Sequence, residues 1–229
     1  MNGAPFITFG AGHIGVLVFI AVCSALLVAC RRKLHGRDDS RLRQVAAVCL
    51  IANEAISWAF GISHGIIRLP FQLCDLEVLL LAWAFWSLRP RVCEAAYFLA
   101  LAGSLQALLT PDLIYGFPDY WWIKFFLTHG GVVLGAVYLA ASGRLGLTLR
   151  SVARVWLWAT AYVLTAMLLN ACFGTNYGYL ARKPLRPSVL DYLGPWPYYI
   201  LAIEALSMVL FLVCYLPFAW AGRKRRPGG

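Results

Sequence analysis

Inside its apolar blocks this sequence carries a few side chains that hydrocarbon tolerates poorly. A charged group there is costly unless it is paired or wet, so each marks a position where chemistry is possible. The most reactive type is Cys74, which follows Leu69-Pro70-Phe71-Gln72-Leu73 at the head of one block. Pro70 suits the first turn of a helix, so the thiol falls near a positive helix end, where a thiolate is favoured. Asp75 and Glu77 lie just beyond it and oppose that effect. His129, in a later block, is followed by Gly130, Gly131 and Gly135. A thiol within reach of an imidazole is the pairing of a nucleophile with its general base. Taken alone the two residues leave other readings open, since a Cys in an apolar helix packs inertly and a lone His joins helices by hydrogen bonding.

Other polar groups recur in the same half of the chain's apolar segments. Asn53, Glu54, Ser57 and His64 are spaced to share one helical stripe facing neighbouring helices. Asn170 ends a further block and Glu204 lies within the last one. Seven cysteines are dispersed at 23, 30, 49, 74, 93, 172 and 214, without the spacing of a disulfide framework or a metal site. Neither a metal nor another cofactor is expected.

The elements that must position these groups are membrane helices. Of the 229 residues 61% are hydrophobic and only 13% charged, and the apolar residues run in blocks rather than in a spaced core pattern. Seven segments near the spanning length of about 20 residues cover 10–30, 43–65, 70–88, 92–110, 120–142, 153–173 and 194–219. The expected fold class is therefore all-α, a single seven-helix transmembrane domain over residues 1–229. Leu27-Val28-Ala29-Cys30 has the look of a lipoprotein cleavage box, but no positive charge precedes it and Arg31-Arg32-Lys33 follows directly. That is a stop-transfer pattern, and the first helix is expected to stay in the mature protein.

The net charge of +10 sits in short tracts between apolar blocks, which excludes a nucleic-acid surface and fits topology signals and anionic headgroups. Fifteen Lys and Arg fall in the 1–2, 3–4 and 5–6 connections and the tail, against five on the other side. The basic side is cytoplasmic, so the N-terminus is expected outside and the C-terminus inside, in a multi-pass protein of the cell membrane. On that orientation Cys74 lies ~6 Å and His129 ~12 Å below the outer helix ends.

The longest outer loop, 174–193, carries the most specific pattern. It reads Asn176-Tyr177-Gly178-Tyr179-Leu180, Lys183-Pro184, Ser188-Val189-Leu190-Asp191, then Gly194-Pro195-Trp196-Pro197-Tyr198-Tyr199. This closely resembles the signature N-Y-x-Y-L…K-P…S-x-L-D…G-P-W-P-x-Y of a family of seven-helix membrane proteins called YwaF in bacteria, with transmembrane acyltransferase relatives in animals. Leu69 to Cys74 is similar to that family's L-P-x-x-x-C element, and Thr128-His129-Gly130-Gly131 to its His element.

The resemblance implies acyl transfer on membrane lipids, with Cys74 as nucleophile and His129 as base. Asn53, Glu54 and Asp75 are then expected to orient His129 or to bind a glycerol or headgroup hydroxyl. Lys183 and Arg186 would hold a lipid phosphate, with Asn176, Tyr177 and Trp196 as a lid. Membrane lipids are the expected partners, and no oligomeric state follows. Two other classes remain: a small-molecule or ion transporter using Glu54, Asp75, Glu77 and Glu204 as a relay, and a non-catalytic lipid-binding protein.

Overall fold

A computed structural model of the protein describes residues 4–65 and 69–224. Arg68 and the last basic residues, Arg225 and Arg226, used in the charge count above, lie outside the described residues. The architecture is helical: α1 (Ala11–Ala29), α2 (Ser40–Ser63), α3 (Leu73–Ser87), α4 (Pro90–Leu109), α5 (Tyr120–Ala141), α6 (Leu149–Phe173) and α7 (Tyr198–Lys224). Each falls within a few residues of an apolar block, because long apolar runs must satisfy their backbone internally.

Six of these, all but α3, are long and apolar enough to cross a membrane. The segment expected over 70–88 condenses to a 15-residue helix, a rise of about 22 Å. Gln72 and Asp75 form a capping box that starts it, and Leu88 in the left-handed region ends it.

The chain divides into two compact units, Met1–Arg144 and Leu145–Gly229. In the first, α5 is the hub, packing against α1, α2, α3 and α4. Its glycines allow three of these approaches. A Cβ on Gly130 would lie 3.0 Å from Ile20 of α1, one on Gly131 2.8 Å from Leu50 of α2, and one on Gly135 would run into Leu81 of α3. Small residues at such contacts let dispersion and hydrogen bonds join helices where lipid removes the hydrophobic drive. Buried His13 pins α1 to α4: its Nδ1 accepts from the Phe9 amide at 2.9 Å and its Nε2 donates to the Leu108 carbonyl at 2.7 Å.

At the end of α2 next to the basic 1–2 connection, Asp39 gathers three partners. Arg43 Nε and Arg144 each donate to it at 2.7 Å, and the Tyr138 hydroxyl donates to its other oxygen. Arg43 also reaches the Phe85 carbonyl near the end of α3. The clasp gives the buried Asp39 carboxylate hydrogen bonds on both oxygens, which makes its burial tolerable.

In the second unit α6 packs on α7. Glu204 of α7 accepts from Thr160 of α6 at 2.7 Å, and its carbonyl accepts from Trp156 at 3.1 Å.

Candidate functional site

The polar groups of the first unit meet in one buried layer, built around consecutive turns of α5. Lys124 and Thr128, four residues apart, share the face turned to α2. There the Lys124 ammonium lies 3.0 Å from Glu54 Oε1. The Thr128 hydroxyl donates to the same oxygen at 2.7 Å and accepts from Asn53 Nδ2 at 2.8 Å. Glu54 is 2% exposed and Lys124 9%, so the pair is closed off from solvent.

His129 is the next residue along, and the ~100° turn per residue of an α-helix carries its ring away from α2 toward α4. Its Nδ1 lies 3.0 Å from the Ser104 hydroxyl, and the ring packs on Phe125 with centroids 4.3 Å apart. Ser104 donates its own proton to Glu77 Oε2 of α3. Opposite an ionised Glu77 the hydroxyl proton goes to the carboxylate, and Nδ1 is then the donor to Ser104. That fixes the neutral tautomer with a lone pair on Nε2, the form a general base requires.

Two local features of α4 make room for this. Residues Ala100–Ser104 form a π-turn, the widened geometry often found at functional positions. Gly103 lies within it, and a Cβ there would collide with the Glu77 carboxylate. The missing side chain lets Glu77 press against the α4 backbone and reach Ser104.

Cys74 is half-buried near the start of α3 and makes no hydrogen bond among the described residues. It precedes Glu77 by three positions, so the thiol and the carboxylate share a helix face. Asp75, Lys124, Glu77 and Glu54 are the charged groups whose fields reach it. The hydrogen-bonded partner of His129 is thus Ser104, and Cys74 lies on the Glu77 face of α3.

The orienting roles expected from sequence are redistributed. Asn53 and Glu54 hold Thr128 and Lys124 rather than His129, because their stripe on α2 faces positions 124 and 128. Asp75 is buried and accepts from the Gln72 amide at 3.1 Å, capping its own helix. His64 leaves the stripe: α2 ends at Ser63, and the exposed His64 ring turns back to the Phe60 carbonyl at 2.8 Å. All three carboxylates of this layer are buried and none faces lipid, as their cost in hydrocarbon demands. Ser104 and Gly103 were not singled out from sequence as parts of a site, and Thr128 entered only as the residue that opens the His element. Lys124 was one of the five basic residues counted on the outer side, and it lies buried in α5 against Glu54.

The signature loop belongs to the second unit, and its marked residues fasten it. Asn170 Oδ1 accepts from the Tyr177 amide at 2.7 Å and from Thr175 at 2.8 Å, and its Nδ2 donates to the Tyr177 carbonyl at 3.0 Å. Asn176 Oδ1 accepts from the amides of Ala181 and Arg182, both at 3.0 Å. Ser188 and Asp191 form a capping box, and the Trp196 indole donates to the Leu180 carbonyl at 3.1 Å. Lys183 sits over the Tyr199 ring at 5.4 Å. Tyr177 is buried, and Trp196 is exposed apart from its bonded nitrogen. The relay suggested for a transporter is likewise divided, with Glu54, Asp75 and Glu77 in the first unit and Glu204 bonded to Thr160 in the second.

No curated protein and no solved structure matches the chain. A family model does, over residues 8–215, a span that takes in the buried layer, the signature loop and all seven helices but the end of the last. With six helices able to cross a bilayer, the chain is a multi-pass membrane protein and belongs to the TMEM164 family.

Proposed function

We propose that this protein is a lipid acyltransferase of the cell membrane that works through a thioester on Cys74, with His129 as general base and then general acid. One observation carries the reading: a buried imidazole anchored at Nδ1 by Ser104, itself anchored by Glu77, a carboxylate three residues after Cys74 on α3. A base held by a third group is the recurrent logic of nucleophilic catalysis, and here a hydroxyl stands between base and carboxylate.

In the proposed cycle His129 Nε2 takes the Cys74 proton, and the thiolate attacks the carbonyl carbon of an ester donor. The C–S bond forms, the C–O bond breaks, and the leaving alcohol oxygen receives the proton from His129. An acceptor hydroxyl then gives its proton to His129 as its oxygen attacks the thioester. The C–S bond breaks, and the thiol regains its proton. Water as acceptor turns transfer into hydrolysis. Glu77, through Ser104, steadies the imidazolium formed at each stage. Glu54 Oε2 and Ser57 Oγ, buried and without a partner among the described residues, suit an acceptor hydroxyl. Asn53 keeps Thr128 and Glu54 aligned. Lys183 and Arg186 supply cations for a lipid phosphate, in a loop kept in shape by Asn176, Tyr177 and Trp196.

The reading includes seven spans, with α3 crossing by means of its flanks at 70–72 and Leu88 and by local thinning of the bilayer. The N-terminus is outside and the acyl-transfer layer faces the outer leaflet.

The test is intact-mass analysis of purified protein exposed to an electrophilic ester such as p-nitrophenyl palmitate. A single acyl adduct on Cys74 is expected, absent in Cys74→Ala and strongly slowed in His129→Ala. The double variant should be hardly worse than either single one, because residues acting as a unit are not additive. An adduct spread over other cysteines, or full acylation in His129→Ala, would sink the mechanism.

A further inference from the structure

A cavity of about 420 Å³ opens in the first unit, between α1, α2 and α5. Its upper end is Asn53, the residue whose amide holds Thr128 beside His129. Its lower end is Arg43 and Tyr138, the clasp on Asp39. Between them the walls are apolar, chiefly Ala46, Leu50, Leu127 and Leu134. Gly131 and Gly135 form part of the lining, and the absence of their side chains keeps it open. From Asn53 to Arg43 along α2 is ten residues, a length of about 15 Å. Leu42, Cys49 and Leu127 on its margin are exposed, so it has a mouth along its side.

We propose that this crevice is the slot for the acyl chain being transferred, and that its depth sets chain-length preference. The inference rests on the acyl-transfer reading for the identity of the reacting end. Three features select a lipid chain as occupant. The walls are apolar while the Asn53 end adjoins the reacting layer. The mouth lies along the flank of membrane-crossing helices, where a chain slides in from hydrocarbon. The bottom is closed by a charged clasp, which an acyl chain will not pass.

The chain comes from hydrocarbon rather than from water, so entering the slot yields little hydrophobic gain. Selection must come from fit. Ala46 lies seven residues below Asn53, about 10 Å down. A larger side chain there obstructs chains that reach it and leaves shorter ones alone. Overpacking of about 1–3 kcal/mol corresponds to roughly fivefold to 150-fold.

The experiment follows acylation of Cys74 by p-nitrophenyl esters graded from butanoyl to palmitoyl, using full-length protein in nanodiscs. The thiolate forms its C–S bond to the acyl carbon as the C–O bond breaks, and nitrophenol leaves with the proton. Ala46→Phe should lower the palmitoyl-to-butanoyl ratio of rates at least fivefold. Leu50→Ala, which widens the slot, should move the ratio the other way, toward palmitoyl. Adducts that form on Cys74 with a ratio unchanged in both variants would overturn the slot while leaving acyl transfer standing.

A second arm needs no chemistry at Cys74: a diazirine-bearing fatty acid in the bilayer, photolysed with Cys74→Ala protein. Crosslinks at Leu50 or Leu134 that Ala46→Phe abolishes support the slot, even if no adduct ever forms and the enzymatic reading fails. Crosslinks confined to other surfaces, or a link between two copies of the chain through these residues, refute it.

Discussion

Gly103→Ala probes the buried relay without touching any group that reacts. In an ordinary helix the change is stabilising by about 1 kcal/mol, from propensity alone. Here the new methyl overlaps Glu77 Oε1 and sits 3.2 Å from both the Glu77 carboxyl carbon and Leu73 Cδ2. Glu77 is 2% exposed and cannot swing out to lipid. It must leave Ser104, so about 1–3 kcal/mol of overpacking adds to about 1–3 kcal/mol for a buried partner left unsatisfied. Set against the propensity gain, the net loss is about 3 kcal/mol, or roughly 6–12 °C in the unfolding midpoint of a chain this long. In a Glu77→Ala background the collision and the hydrogen bond are both gone, and the same methyl should cost almost nothing. Four midpoints in one detergent, for wild type, each single variant and the pair, give the coupling directly. An equal drop from Gly103→Ala in both backgrounds would refute the claim that this glycine exists to admit the carboxylate.

Lys124→Met should lower stability by about 3–5 kcal/mol, since it strips a buried carboxylate of its charge partner, and adding Glu54→Gln should recover much of the loss; a harmless Lys124→Met in the same melting assay would count against a closed ion pair. Orientation is checked by reporter fusions and cysteine accessibility. Residues 144–152 are expected in the cytoplasm and 176–193 outside, and a cytoplasmic signal from the second loop would overturn the assigned topology.

The helices were legible because hydropathy is a coarse, cumulative signal. The block expected over 120–142 became Tyr120–Ala141, and that over 10–30 became Ala11–Ala29. Where polar residues stand inside such blocks, the sequence also points to the right layer: Asn53, Glu54, Glu77 and His129 all meet within one stretch of the first unit. Which of them touch is another matter. A serine in an apolar helix is unremarkable, and Ser104 gains its role only from a π-turn, a departure in hydrogen-bond register that leaves no trace in composition. Lys124 falls inside the block expected over 120–142, but that it turns inward to pair with Glu54 appears only in the structure.

The loop signature carries a converse lesson. It was the most specific pattern in the chain, yet the side chains that define it fold the loop on itself: Asn176 caps two amides, Ser188 and Asp191 cap each other's turn, and Trp196 ties back to Leu180. A pattern of turn-forming residues is distinctive because few side chains satisfy a tight loop's orphan amides. That makes it a strong mark of family and a weak guide to chemistry. The groups proposed to react are marked by the opposite property, polar atoms whose burial is costly in hydrocarbon. On that criterion the Glu77–Ser104–His129 relay, not the loop, is where mutagenesis should begin.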